Sequence, residues 1–360
     1  MSFLILENKK IDYASLVDYE PAVGFSSYSL GILAFSKAWF TNQYLFTIQT
    51  SGSTGAPKTI PWTRELMLWS IGNTAQALQL KKGMHVLHCI DANKTGGKMM
   101  LARAFELGMS LEVVIPSSNP FENAQATHYD FASMVPMQIH YLQQQHQLDA
   151  LNKIDTLLLG GAALNPSLTQ ALQPLTTKVY FGYGMTETAS HIALQRINGV
   201  QATSYFTCLP GVAITLNEEA CAVIHTPFHE ALLTHDRIEM QGENRFVVLG
   251  RTDNIVNSGG IKIELEKVES AIDKALTNLK MNFYSYCAYH QPDDRLGEAL
   301  MVIIESEPWD ASTMEEFKNE LKDQLEKVEI PQHIYFTTQL EFTSSGKIDR
   351  KGSAEKVLKK

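Results

Sequence analysis

TIQTSGSTGAPKTIPWT, residues 47–63, sets five hydroxyl side chains (Thr47, Thr50, Ser51, Ser53 and Thr54), two glycines and a lysine between two strand-like runs. Gly52 and Gly55 let the backbone turn its N–H groups toward a ligand, and Lys58 adds a mobile cation with three donors. A loop of this composition suits a polyphosphate. It is not the Walker type, because Pro57 precedes the lysine and strand-like KTIPW follows where a helix should open. The same composition also occurs in plain polar loops. The rest of the chain has to decide.

Outward from this loop, short apolar runs alternate with helical patterns. Residues 85–90, 110–115, 155–161 and 178–184 read as buried strands, and 64–80, 97–107 and 166–174 as helices, with Gly83 and Gly108 as C-terminal stops. Such alternation implies an α/β sheet with helices on its faces. From about 203 to 250 the pattern shortens into strands and turns, including the hairpin-like MQGENRFVVL. After GRTDN the texture changes again. Leu265, Val268, Ile272, Ala275 and Leu279 recur at helical spacing, two strand-like runs follow, and Ser312 with Glu315 reads as a capping box. The expected fold is α/β: a large N-terminal domain over 1–252 with a β-rich subdomain, then a small mobile α+β domain over 253–360.

At 360 residues, with 44% hydrophobic and 19% charged side chains, the chain can bury a substantial core. Its net charge of −9 argues against a nucleic-acid or anionic-membrane binder, so an anionic ligand must be held by local donors and metal. Cys89, Cys208, Cys221 and Cys287 lie far apart without metal spacing, which suits reduced thiols. The opening MSFLILENKK has no cationic region followed by a sufficient apolar run, and no stretch is long enough to span a bilayer. A cytoplasmic protein without membrane insertion is expected.

Three further constellations carry chemistry. Gly160, Gly161 and Ala162 end a strand, where open α/β sheets bind ligands and small residues leave room for a flat base. In YFGYGMTETAS, residues 180–190, Tyr183 can stack on a base, Thr186 can donate to a phosphate and Glu187 can hold Mg²⁺. Ser190 and His191 suggest a Ser/His pair. As neighbours on an expected helix they do not face each other, and no nucleophile elbow surrounds them, so serine-hydrolase chemistry is excluded. Asp236 can accept from ribose hydroxyls, and Lys347 sits among small polar residues in TSSGKIDRK.

In this order the pieces resemble the adenylate-forming superfamily of acyl- and aryl-CoA synthetases, luciferases and peptide-synthetase adenylation domains. The family's phosphate loop matches Thr50, Ser51, Gly52, Ser53, Thr54, Gly55 and Lys58. Its Tyr-Gly-x-Thr-Glu signature matches Tyr183, Gly184, Met185, Thr186 and Glu187, and its ribose aspartate falls on Asp236. Its hinge signature matches Gly250 to Asp253, with Arg251 a further ribose contact. Its glycine-rich stretch matches Ser258 to Lys262 through Gly259 and Gly260, and its catalytic lysine falls on Lys347. GYGMTETASHIAL and TGGKMMLARA look most like the o-succinylbenzoate–CoA ligases of menaquinone biosynthesis.

The resemblance implies an ATP-, Mg²⁺- and CoA-dependent ligase that joins a small carboxylic acid to CoA through an acyl-adenylate, releasing AMP and pyrophosphate. It also implies a domain rotation about Asp253 between the two half-reactions. A second substrate carboxylate needs a cation or donors, for which Lys98, Arg103, Arg196, Ser190 and His191 are the candidates. Two other readings stay open: loading of an aryl acid onto a carrier-protein thiol, and a non-catalytic nucleotide-binding module. The phosphate loop begins nearer the start than is usual in the family, so part of the first subdomain is expected to be reduced. No histidine precedes the glycines of DANKTGGKMM, and His235 stands where a glycine usually precedes the ribose aspartate.

Overall fold

The computed structural model describes residues 2–21, 24–49, 58–281, 285–343 and 347–359. Thr50 to Gly55 of the phosphate loop therefore lie outside the described residues. The chain divides into two compact units, 1–163 with 172–212, and 164–171 with 213–360.

In chain order the first unit begins with β1 (Phe3–Leu6), β2 (Lys9–Asp12), α1 (Ser27–Phe40), β3 (Leu45–Gln49), β4 (Thr59–Thr63), α2 (Arg64–Leu78) and β5 (His85–His88). It continues with α3 (Thr95–Leu107), β6 (Ser110–Val113), β7 (Tyr129–Met134), α4 (Pro136–Gln144) and β8 (Ile154–Leu159). After α5 (Pro166–Ala171), which belongs to the second unit, come β9 (Lys178–Met185), β10 (Ser190–Arg196) and β11 (Phe206–Cys208). The strand order is β11-β10-β9-β8-β7-β5-β6-β1-β2. From β9 to β1 every pairing is parallel, and antiparallel pairings follow on either side. The helices α1, α2 and α3 cover one face, burying Ile32, Trp39, Met67, Ile71, Met99 and Phe105 in one core with Val86 and Leu111.

Strands β5, β6 and β8 read as short apolar-rich runs because parallel strands here are covered on both faces. Gly108 ends α3 in the left-handed region, as its place in the sequence suggests. Gln79, also left-handed, ends α2, so Gly83 serves only the turn before β5. The β1–β2 hairpin turns on left-handed Glu7 and Asn8. With α1, β7 and α4, it is an element that the sequence pattern did not announce.

The second unit holds β12 (Ala213–Leu216), β13 (Cys221–Thr226), β14 (His229–Met240) and β15 (Arg245–Arg251), an antiparallel run in which MQGENRFVVL forms the expected hairpin. After it come β16 (Ile255–Ser258), β17 (Ile261–Glu264), α6 (Leu265–Asn278), β18 (Tyr286–Asp293), β19 (Gly297–Glu305), α7 (Ala311–Lys322), β20 (His333–Thr337) and α8 (Arg350–Leu358). These strands order as β17-β16-β19-β18, with β20 parallel to β19. Strand β19 is apolar over 299–304 because both its faces are buried there. Leu300, Val302 and Ile304 meet α6 and α7, while Met301 and Ile303 join Leu340, Ala354 and Val357 on the face covered by α8.

Helix α7 starts earlier than the expected capping box. Asp310 is its cap and accepts from Thr313 N–H at 2.9 Å, which leaves Ser312 inside the first turn. Helix α5 is also shorter than expected and stops at Ala171.

Candidate functional site

The signature Tyr183–Gly184–Met185–Thr186–Glu187 closes β9 and turns into β10. Residues 186–189 form the turn, and Ala189 and Ser190 sit at φ 49° and 114°. A Cβ on Gly184 would lie 2.2 Å from the Ser190 carbonyl oxygen and 2.5 Å from the His191 Cα. The returning strand leaves no room for a side chain, so the glycine is steric in origin.

Three elements hold this turn in place. Trp62 of β4, fully buried, donates its indole N–H to Thr186 O at 2.7 Å. Ser70 of α2 donates to Ala189 O at 3.0 Å, and Thr95 at the start of α3 lies 3.0 Å, hydroxyl to hydroxyl, from Thr186. Buried Thr188 closes the turn from inside, with Met185 N–H bonded to its Oγ1 at 3.1 Å. Glu187, half-buried, has neither a hydrogen bond nor an ion pair among the described residues. The turn thus fixes its backbone and leaves one carboxylate open. Trp62 and Thr95 lie within the stretches 47–63 and TGGKMMLARA, which signal no role for them, and Ser70 belongs to no motif.

Gly160 and Gly161 follow β8 at the same carboxyl end of the sheet, Gly160 bonded to Met134 O and Gly161 at φ 91°. Ala162 follows them. Tyr183 is 9% exposed, with its ring 5.8 Å from that of Phe206, so much of its surface is already covered. Lys58 stands exposed just before β4.

The structure corrects the expectation for Ser190 and His191. They lie on strand β10, not on a helix, and their side chains do meet, Ser190 Oγ to His191 Nδ1, at 3.2 Å. The hydrogen bonds fix the direction of this chain. Thr74 donates its only hydroxyl proton to Ser70 O at 2.9 Å, so the 3.1 Å contact with His191 Nε2 requires N–H on the imidazole. Nδ1 is then an acceptor for Ser190 O–H, and Ser190 Oγ in turn accepts from Arg103 Nη2 at 2.8 Å. Burial, reinforced by the charge of Arg103, holds the His191 pKa well below the usual histidine range, so the imidazole is neutral.

Arg103 is 1% exposed, and burial lowers its pKa to about 9, which leaves it cationic at neutral pH. Its Nε has no hydrogen bond, and no carboxylate pairs with it among the described residues. A buried guanidinium without a counter-ion is costly. Lys98, by contrast, donates to Thr47 O at 3.2 Å, on the strand leading into the phosphate loop. Arg196 lies at the far end of β10, over the Tyr180 ring and bonded to Asn198 O.

In the second unit, Asp236 and Arg251 face each other across β14 and β15, joined at 2.7 Å. The same guanidinium makes a two-pronged contact with Asp253, at 2.7 and 2.6 Å. Hydrogen bonding to Arg251 holds the Asp253 carboxyl below the usual carboxylate range, and the pair raises the Arg251 pKa. Gly259 and Gly260 are the two central residues of the β16–β17 hairpin, both at positive φ, and Lys262 is exposed on β17.

Lys347 keeps solvent access, yet surrounding protein atoms lower its pKa. The charge of Arg251 acts in the same direction, and Asp236 opposes both. Its backbone closes a small hairpin, with Thr343 N–H to Lys347 O at 2.8 Å and a bridge between Phe342 and Ile348.

A family profile described as AMP-binding enzyme matches residues 34–223, more than half of the chain. The chain belongs to the AMP-binding enzyme family. The 2-succinylbenzoate–CoA ligase of Haemophilus influenzae is 25% identical over 342 residues, 90% of this chain and 73% of that protein. Curated relatives of the same description from Escherichia coli and Staphylococcus aureus are spanned for 62% and 65% of their length. Among solved structures, an acyl-CoA synthetase (AMP-forming)/AMP-acid ligase II-like protein from Dyadobacter fermentans is 32% identical, with a TM-score of 0.62. The match covers 96% of this chain and 99% of that one. The o-succinylbenzoate CoA synthetase of Bacillus subtilis, solved with ATP and magnesium, shares the fold at a TM-score of 0.70 and 20% identity, over 86% of this chain and 69% of that one. No helix among the described residues is long and apolar enough to cross a membrane.

Proposed function

We propose that the chain is a cytoplasmic AMP-forming acid–thiol ligase that converts 2-succinylbenzoate to its CoA thioester. The observation that carries the choice of acid is Arg103, a buried cation with a free Nε and no carboxylate partner among the described residues. A diacid brings two carboxylates. One reacts, and the other supplies the counter-ion that the Arg103–Ser190–His191–Thr74 chain is arranged to meet.

The reaction sets a carboxylate oxygen against the α-phosphorus of ATP, and pyrophosphate leaves. Two anions approach each other, so oriented donors and cations must meet the charge that develops. Thr50, Ser51, Gly52, Ser53, Thr54, Gly55 and Lys58 are proposed for the β- and γ-phosphates, and Thr186 for a phosphate oxygen. Lys347 is proposed for the α-phosphate and the bridging oxygen. The open carboxylate of Glu187 suits Mg²⁺, which neutralises phosphate charge when bound. Gly160, Gly161, Ala162 and the Tyr183–Gly184–Met185 stretch would flank adenine, with Asp236 and Arg251 on the ribose.

The lowered Lys347 pKa reflects an ammonium partly desolvated by surrounding protein atoms, which meets an incoming phosphate oxygen at a smaller desolvation cost. In the second step the CoA thiolate attacks the acyl carbonyl and AMP leaves, with Gly259, Gly260 and Lys262 moving toward the site about a hinge at Asp253. The domain boundary at 252/253 belongs to this proposal.

The test is a panel of carboxylic acids scored for acyl-CoA and AMP, with 2-succinylbenzoate beside benzoate and fatty acids. Strong preference for the diacid, lost in Arg103→Met while benzoate turnover is unchanged, is the expected result. Equal turnover of benzoate and the diacid by the unaltered protein sinks the substrate assignment. Absence of AMP with every acid sinks the ligase reading itself.

A further inference from the structure

Helix α6 carries two glutamates one turn apart, Glu266 and Glu269, which therefore share a face. Glu266 Oε1 accepts from Asn254 Nδ2 at 2.6 Å, and its Oε2 lies 3.1 Å from where a Cβ on Gly250 would stand. Glu266 thus abuts the 250–254 stretch. Glu269 receives the fork of Arg350, Nε to Oε1 at 3.0 Å and Nη2 to Oε2 at 2.8 Å, and its Oε1 also accepts from Ala288 N–H of β18 at 3.0 Å. Arg350 is the first residue of α8 and comes three residues after Lys347. Asp349 between them caps α8 through Gly352 N–H, and its own N–H bonds to Glu341 O.

A lysine stem has four rotatable bonds, so the position of its ammonium depends on where the backbone beneath it is anchored. Lys347 and Asp349 are held by backbone bonds to Thr343 and Glu341. Immediately after them Arg350 is held by a planar, two-point charge-assisted contact, which fixes direction as well as distance. We propose that Glu269–Arg350 is a positioning pair that sets the reach of Lys347 for adenylate formation. The same face of α6 carries Glu266, whose contact with Asn254 places this anchor beside the proposed hinge. This rests on the functional reading above.

The experiment measures the two half-reactions separately in Arg350→Lys, Glu269→Gln and the double variant. Adenylate formation is followed by pyrophosphate exchange, and thioester formation is followed from supplied acyl-adenylate. The expected result is a loss of roughly thirtyfold in kcat for exchange, as for a misplaced reacting group. KM for ATP and the thioester step should both hold within about twofold. The double variant should lose no more than either single one, because both break the same contact.

Exchange kept at the unaltered rate, losses that add in the double variant, or both half-reactions falling together with the melting temperature each overturn the proposal. Should Arg350→Lys not fold, Glu269→Gln alone carries the same split. Unaltered protein and Lys347→Ala run alongside. Exchange absent from the unaltered protein, or retained in Lys347→Ala, refutes the functional reading instead.

Discussion

Glu187 is a carboxylate that the turn positions and that has no partner among the described residues, and this separates its two possible contributions. Replacing it by Gln removes charge without breaking a contact among the described residues. Pyrophosphate exchange should fall by about 10²–10³, the usual loss on removing one electrostatic stabiliser, while the melting temperature stays put. A lower melting temperature with exchange intact would make it a structural residue. His88 and His191 are the opposite case, imidazoles buried in neutral form. Burial lowers His88 to about 3 and His191 well below the usual range. The unfolded chain takes up these protons near pH 6.5 and the native chain refuses them, so stability is full above that pH and is lost as pH falls. Each imidazole should cost about 1.4 kcal/mol per pH unit below 6.5 until its native pKa is reached. Denaturant titrations from pH 7 to 4 measure the slope, which His88→Gln should lessen; an unchanged slope would mean that His88 titrates normally.

Elements are where sequence and structure agree most and also where they part. Gly184 and Gly97 are both fixed by backbone crossing close by, and a Cβ on Gly97 would lie 2.1 Å from the Asp91 carbonyl oxygen. Gly97→Ala and Gly184→Ala should each cost about 3 kcal/mol or more, at the upper end for overpacking, read as the shift in denaturant midpoint. A shift below about 1 kcal/mol would show that the facing backbone can yield. Both glycines were legible as motif members, but not the reason for them, since the close approach of Asp91 and Ser190 depends on how the intervening turn folds. The βα alternation of the first unit and the two-faced strand β19 were legible because burial on both sides leaves an unbroken apolar run. Ser190 and His191 were misplaced on a helix because the Thr-Glu-Thr composition of the 186–189 turn mimics a helix start. Arg103 looked like one of several basic candidates; that it is buried without a carboxylate partner among the described residues depends on packing, which no local pattern records.

At the scale of the whole molecule, the proposed chemistry divides between the two units. Thr186 and Glu187 lie in the first, and Asp236, Arg251, Asp253 and Lys347 in the second. Lys347→Ala should abolish adenylate formation and spare thioester formation from supplied acyl-adenylate. Asp253→Pro should damage thioester formation more than adenylate formation, by removing torsional freedom at the proposed hinge. Parallel losses in both variants, measured on the two half-reactions, would refute that division of labour.

One edge of the first sheet bears on handling the protein. Strand β2 closes it with Lys9 and Lys10 exposed, their ammonium groups over the rings of Phe25 and Phe3. A rim of unpaired amides invites another chain to add on, and cationic side chains discourage such growth. Trimming the opening dozen residues would bare β6, a strand buried along its entire length, and purified material should then elute as soluble aggregates.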